Sequence, residues 1–543
     1  MSDQDLVAVI YPVIYKDRPA LSVEPILAHP RCIVPGSWKQ QQTQPSQSYP
    51  LKSNDDTCPK EQAPINLPYI PLRFSCGPRT SLGFVFGTDP KSDIHLGNTN
   101  GISNYHFALT YKNTFNDGYY RLVVRDLGSS GGTMVIYRGT KTNKAKAPRA
   151  GRYNKGKEKR RNFDWILHGF PHPDTASYVS VKVAIDFELL IMVVKHDLRS
   201  PAYIDNVRRF RQGQIDPETL FGVLDIQSLR PTGLHTLSDT PGSQPMLLYE
   251  QKLSEGTFGA VTQAWDVSTG ISYALKEPIG DCYNKQDWKE EIDMMASLSH
   301  EHIVKIFLAG TEPTPYMYIE LMPLGNLENV HETASLSRQE CVVILHQGMS
   351  ALAYLHAECI AHRDIKPQNI LVRHRGQNSL HIKLTDFGLS KAGSLRSIVG
   401  TWTYLAPEIA TGAEEYYTQA VDIWSLGVVI LRFTHGLPPP GYGRGWIWCQ
   451  KIADHAARCG IENPMSLLRR MLVIEPSSRP SAEACLHETS QLLMAFEERR
   501  ITPLSRVGMV TNKPSGGLEL QGQARVQRWH PQADRWMTMV KSE

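Results

Sequence analysis

The hydrophobic pattern of this chain changes character once, between about residues 200 and 246, and that change bounds what the chain can fold into. From Pro71 to about His196 apolar residues come in short β-type runs: LGFVFG, HFALTY, YYRLVVRD, GTMVIY, YVSVKVAI and FELLIMVVKH. Gly, Asn and Asp turn signals separate them, the pattern of an all-β sandwich. From about Met246 the sequence is strand-rich and then helical, and the apolar spacing in LHQGMSALAYLHAE and AVDIWSLGVVILRFT suits buried helices. A chain of 543 residues is also too long for one core. The expected organisation is a partly disordered N-terminal arm over 1–67, a sandwich over 68–200, a linker over 201–243, a mixed α+β domain over 244–496 and a tail over 497–543. Residues 37–66, rich in Gln, Ser and Pro, are expected to be disordered.

The formal net charge of +4 says little about partners, because basic residues are mostly offset locally. The start MSDQDLVAVIYPVIY has no basic region leading into an apolar one, so no signal peptide is expected. No apolar run approaches the roughly 18 residues of a membrane span, and the ending VKSE is no lipidation box. No membrane partner is expected. The nine cysteines are scattered and odd in number, without a CxxC pair. Reduced, mostly buried thiols in a nuclear or cytoplasmic protein are the expectation.

The chemistry is concentrated in His362-Arg363-Asp364-Ile365-Lys366-Pro367-Gln368-Asn369, followed by Asp386-Phe387-Gly388. Asp364 can accept the proton of an attacking hydroxyl and Lys366 can hold a γ-phosphate. Asn369 and Asp386 can hold magnesium. Upstream, Leu253-Ser254-Glu255-Gly256-Thr257-Phe258-Gly259-Ala260-Val261 reads as a Gly-rich loop whose backbone N–H groups approach phosphates. Ala274-Leu275-Lys276 then places a lysine to reach the α- and β-phosphates, and Glu291 on a helical pattern is its orienting partner. Met317 to Met322 is an apolar strand entering a linker, where Glu320 and Met322 offer backbone groups to the adenine edge. Any one of these is an ordinary surface turn or a solvated charge; in this order they form an ATP site. Arg479 is a candidate buried partner for Glu408, since an uncompensated carboxylate there would be costly.

These residues resemble the eukaryotic protein kinase family. The resemblance implies a two-lobed fold, ATP and Mg2+ as cofactors, and protein hydroxyls as substrates. Lys366, two residues after Asp364, is similar to the serine/threonine branch. Ser254 stands where the first loop glycine usually stands, which implies a modest effect on nucleotide affinity. Basophilic members carry acids where this chain has Asn326 and Gln368, so strong arginine selectivity is not expected. Ser397, with Ser394 as the fallback, matches the activation-segment phosphosite that would neutralise Arg363.

Phe86-Gly87-Thr88-Asp89, then Ile102-Ser103-Asn104-Tyr105-His106, then Asp126-Leu127-Gly128-Ser129-Ser130-Gly131-Gly132-Thr133, resemble a forkhead-associated (FHA) domain ahead of a kinase, similar to fungal checkpoint kinases. This implies a β-sandwich whose loops grip phosphothreonine on phosphoprotein partners. Ser103 and Asn104 match ligand-contacting positions, and His106 the histidine that braces the loop. The phosphate-gripping arginine is Thr88 here, and the Asn before Gly-Thr is Gly131. Binding is therefore expected to be weak unless Lys91 or a lysine of the basic insert 138–161 swings in. That insert carries eleven Lys or Arg against one acid, Glu158. It reads as a solvated loop, an import signal or a substitute phosphate grip. Nucleic acid is not the expected partner, because only Tyr153 interrupts the charges. A partner-binding pseudokinase scaffold and a DNA-associated adaptor are the rival readings.

Overall fold

The computed structural model describes residues 3–14, 21–36, 38, 66–113, 118–138, 158–167, 178–215, 246–256, 259–280, 283–312, 314–377, 379–387, 402–410, 418–439, 445–460 and 464–501. The expected fold class is the one seen: antiparallel β-sheets first, then a mixed domain of one sheet and many helices. The sandwich has strands β1 (Leu6–Pro12), β2 (Ile70–Arg73), β3 (Phe84–Gly87), β4 (Ile94–His95), β5 (Phe107–Lys112), β6 (Arg121–Asp126), β7 (Met134–Arg138), β8 (Asp164–Ile166), β9 (Tyr178–Ala184) and β10 (Phe187–Val193). They form two five-stranded sheets, ordered β2-β1-β10-β9-β7 and β4-β3-β5-β6-β8. Val, Ile, Leu and Phe from both inner faces make one core, in which Phe86 stacks on Phe107 at 4.4 Å.

Two boundaries differ from the sequence expectation. The stretch read as part of an arm contains β1, which lies between β2 and β10 inside a sheet. Its near-continuous apolar run is buried on both faces, as a central strand requires. The stretch read as the start of a linker contains the helix Pro201–Gln212, capped by Ser200, whose hydroxyl accepts from Tyr203 N–H. Tyr203, Val207 and Phe210 recur at helical spacing and bury against Phe74, Phe84 and Tyr111. The helix therefore completes the sandwich. Arg208, Arg209 and Arg211 around that stripe hide it in the sequence.

The second domain opens with strands β11 (Leu247–Gly256), β12 (Gly259–Asp266), β13 (Ser272–Glu277), β14 (Ile306–Gly310) and β15 (Tyr316–Glu320), in the order β11-β12-β13-β15-β14. The helix Lys285–Ser297 packs on this sheet through Trp288, Glu291, Met294 and Met295. The larger lobe is built on the buried helices Arg338–Ala357 and Ala420–His435, with the hairpin β16 (Ile370–Gly376) and β17 (Ser379–Leu384) at its edge. The first of these helices starts in a capping box between Ser337 and Glu340.

The two domains share side chains. Met246, Trp265 and Val267 belong to the hydrophobic cluster of the sandwich. Ile166 N–H donates to Val267 O at 2.8 Å, and Trp165 Nε1–H to Met246 Sδ at 3.4 Å. The rings of Tyr137 and Trp265 meet edge-on at 5.6 Å. Among the described residues no helix is long and apolar enough to cross a membrane. Seven described cysteines are free; Cys341, Cys449 and Cys485 are buried, Cys359 is exposed and the others are half-buried, fewer buried thiols than expected. The basic insert from 139 to 157 and the tail beyond 501 lie outside the described residues.

Candidate active site

Lys276 sits mid-strand on β13, paired with Val261 on one side and Met317 on the other. Its ammonium reaches Glu291 Oε1 at 2.7 Å and Asp386 Oδ1 at 2.5 Å. Burial works against the charged lysine, but the Asp386 and Glu291 carboxylates outweigh it and raise the Lys276 pKa. Burial likewise opposes the charged Asp386, and Lys276 outweighs it and lowers the Asp386 pKa. Burial pushes the Glu291 pKa up, with Lys276 opposing it. The trio ties the helix Lys285–Ser297 to the strand and to the Asp386 segment.

The phosphate loop lies where β11 turns into β12. Ser254 pairs with Val261, and Gly256 with Gly259. Gly259 has φ +135°, and a Cβ there would fall 2.5 Å from the Glu277 carbonyl oxygen, so only glycine fits. Leu253 lies at the exposed rim, while Ala274 is buried with Val261 packed nearby. Thr257 and Phe258 lie outside the described residues. At the linker between lobes Met322 is buried, and the Glu320 carboxylate is tied to Lys383 at 2.9 Å and Arg373 at 3.1 Å. The Glu320 side chain is therefore structural, and its backbone N–H donates to Lys305 O at 2.8 Å.

In the catalytic loop Asp364 Oδ2 accepts from Lys366 Nζ at 2.7 Å and from Asn369 Nδ2 at 2.8 Å. Asn369 Nδ2 also donates to Asp364 O at 2.9 Å, which leaves the amide oxygen as its free acceptor. Lys276, Glu291, Asp364, Lys366, Asn369 and Asp386 thus line one cleft, linked by direct contacts except at the step from Asn369 to Asp386, where Thr385 N–H donates to Asn369 O at 3.1 Å. Phe387 is buried against the His362 ring at 4.8 Å.

The loop is held from below by a residue that sequence reasoning placed only at the start of a buried helix. Asp422, 0% exposed, accepts His362 N–H and Arg363 N–H, each at 2.8 Å, and lies 2.9 Å from His356 Nε2. A carboxylate inside an otherwise apolar helix was the available signal, since burial without partners would be prohibitive. Arg363 and Asp386 both have positive φ, +68° and +72°, local strain of the kind that clusters at functional sites.

Arg363 Nε is buried and has no hydrogen-bond partner among the described residues. Ser394 and Ser397 lie outside them. Arg479 pairs with Glu408 in a two-pronged bridge at 2.7 and 2.8 Å and also donates to the carbonyls of Ala420, Val473 and Ile474. Every prong of this buried cation is used, as anticipated. Asn326 spends its side chain capping the helix Leu327–Thr333, and Gln368 donates to Glu328 at 3.3 Å. Glu328 is itself taken by Arg432, which also donates to Tyr404 Oη.

At one end of the sandwich, Ser103 N–H donates to His106 Nδ1 at 3.1 Å, and Thr88 Oγ1 to Asn104 Oδ1 at 3.2 Å. Gly87 lets the loop close, because a Cβ there would fall 1.8 Å from Asn104 O. Asp126 gathers the next loop, accepting from Gly128 and Ser129 N–H and from the Ser129 and Thr133 hydroxyls. Burial pushes the His106 pKa down to about 4, with Asp126 only partly opposing it, so His106 is neutral and braces the loop. Ser103 and Asn104 thus lie in the loop that these contacts close. On the neighbouring loop Lys91 N–H donates to Asp89 Oδ1 at 2.8 Å and the Lys91 carbonyl accepts from Arg79 at 3.0 Å.

Residues 248–489 match the protein kinase domain family and residues 84–149 the FHA domain family. Among curated proteins, the ovarian-specific serine/threonine-protein kinase Lok of Drosophila melanogaster is 32% identical over 263 residues, 44% of this chain and 55% of that protein. Serine/threonine-protein kinase 33 of Mus musculus is 31% identical over 220 residues, 37% of this chain and 44% of that protein. The chain thus spans about half the length of these relatives. A crystal structure of Rad53 1-466 in complex with AMP-PNP aligns with 75% of this chain and 91% of its own, at 20% identity and a TM-score of 0.48. Residues 248–489 are thus a protein kinase domain, and an FHA domain precedes it in the chain.

Proposed function

We propose that this chain is an active serine/threonine protein kinase that transfers the γ-phosphate of ATP to protein hydroxyls. The observation that carries the reading is the contact trio Lys276–Glu291–Asp386 beside the Asp364–Lys366–Asn369 cluster. Asp364 accepts the proton of the substrate hydroxyl. Lys366 turns from Asp364 toward the transferred phosphate, and Lys276 positions the other phosphates. The Asp386 carboxylate and the free Asn369 amide oxygen are hard oxygen donors that suit Mg2+, and they would hold it. Magnesium supplies neutralisation of phosphate charge there. A scaffold without catalysis has no residue in its favour, since every charged group the chemistry needs is present.

Serine/threonine specificity rests on Lys366 and on the relatives. Control rests on Arg363, whose buried Nε lacks a described partner and suits a phosphate on Ser397. For substrates, Asn326 and Gln368 carry no charge and Glu328 is neutralised by Arg432, so arginine upstream of the target is not selected. The FHA domain reads phosphorylated protein partners, and the protein works in the nucleus or cytoplasm. Phosphorylation of a peptide array by purified protein tests the reading. Transfer to serine or threonine without basic preference supports it; no transfer by wild type in Mg-ATP refutes it.

A further inference from the structure

The cation missing from the FHA loops returns from a different part of the chain. The far end of the basic insert folds back onto the loop 128–133. Arg160 and Thr133 exchange backbone hydrogen bonds at 2.9 Å each way, and Asn162 N–H donates to Asp126 Oδ1 at 3.0 Å. This pinning places two cations. Arg161 donates to the carbonyl of Ser130. Lys159 Nζ donates to Val183 O at 3.2 Å and lies 3.9 Å from where a side chain at Gly131 would begin. Between them the hydroxyls of Ser103 and Ser130 are 3.2 Å apart, and Ser130 N–H donates to Ser103 Oγ at 2.9 Å.

We infer that Lys159 and Arg161 form, with the Ser103 and Ser130 hydroxyls, a binding site for a phosphomonoester carried on a peptide. The inference rests on the reading of the FHA domain as a phosphoprotein reader and assigns the residues that supply its charge. One guanidinium, one ammonium and two hydroxyls converge within a few side chains, the donor set a phosphate dianion takes up. The hydroxyl pair can turn its protons toward an incoming oxygen, and Arg161 is exposed with prongs to spare. Burial, and then the neighbouring Lys182, push the Lys159 pKa down, a field that an arriving anion relieves. The geometry is a point rather than a stripe, and the carboxylate of Asp89 is on the facing loop, where Asp89 N–H donates to Asn104 O at 3.2 Å, so a polyanionic duplex is the poorer fit.

The test uses the full chain and an arrayed library of phosphothreonine and phosphoserine peptides, their unphosphorylated forms, inorganic phosphate and a DNA duplex. Wild type should bind phosphopeptides over unphosphorylated ones, with inorganic phosphate competing. Lys159→Ala with Arg161→Ala should weaken binding ten- to about a hundred-fold, the range for losing charge-assisted bonds, while Lys91→Ala should not. Lys159 touches the sandwich backbone, so Arg161→Gln is the second variant; it should lose several-fold affinity with an unchanged Tm. Phosphopeptide binding that survives both variants overturns the assignment but leaves the reader intact. Failure of wild type to bind any phosphopeptide, or salt-sensitive binding to the duplex alone, overturns both.

Discussion

The kinase cleft and the loop end of the FHA domain use charge in opposite ways. In the cleft the charged groups are locked to one another: Lys276 to Glu291 and Asp386, Lys366 to Asp364, Arg479 to Glu408. Moving one would strand another in a poorly solvated place. In the FHA domain the scaffold is locked and the charge is not. Gly87, His106 and Asp126 hold the loops by close approach and by hydrogen bonds to backbone and hydroxyl groups, while Thr88 and Gly131 offer no charge and cations arrive from the insert. Ligand charge can migrate between chain segments where the scaffold does not depend on it.

Several measurements would break or sharpen that contrast. The largest effect belongs to Asp364→Asn, which should lower phosphoryl transfer by about 10²–10⁴-fold with an unchanged Tm, the usual range for a positioned proton acceptor. Near-normal transfer by this variant would remove the cleft from the comparison. Trp165→Ala comes next. Trp165 is 0% exposed, packs in the sandwich and donates to Met246, the residue just ahead of β11. Its loss should cost about 3–5 kcal/mol, and calorimetry should show both domains destabilised. A melt in which only the sandwich shifts would mean that the shared core does not couple them.

The third effect depends on pH. His106 is neutral in the folded protein, with its pKa lowered from 6.5 to about 4. The unfolded chain therefore binds the proton first, and stability is fully present above about pH 6.5 and is lost as pH falls toward 4. At 1.36 kcal/mol per unit the loss reaches about 3 kcal/mol. His106→Asn keeps an acceptor for Ser103 N–H and should flatten the profile between pH 7 and 4; denaturation curves that remain parallel to wild type would count against it. Ser397→Ala should lower activity about tenfold or more if a phosphate pairs with Arg363, and mass spectrometry of active enzyme should find Ser397 modified. A fully active variant with a bare Ser397 would assign Arg363 another partner. The smallest effect is Thr88→Arg, which should raise phosphopeptide affinity by about tenfold by adding a third cation. Adding Gly131→Asn should contribute less, because a Cβ there comes within 3.1 Å of Gly101 O and meets Lys159. No gain at position 88 would mean that the insert already saturates the phosphate.

Sequence and tertiary structure divided the information unevenly. Most of the cleft was legible in the linear chain, because its chemistry demands particular side chains at short spacings: Asp364, Lys366 and Asn369 within six residues, and Lys276 on a strand ahead of Glu291 on a helix. The Glu408–Arg479 pair could also be anticipated, since a buried carboxylate must find a cation. Most sandwich strands were readable from their β-type apolar runs. Only the fold disclosed that β1 lies inside a sheet and that Pro201–Gln212 closes the core, because both owe their stability to contacts from distant segments. Asp422 under the catalytic loop, the shared core around Trp165, and Lys159 and Arg161 beside Ser103 belong to the same class. Local chemistry follows from spacing along the chain, whereas which charge faces which loop follows from how the chain returns on itself.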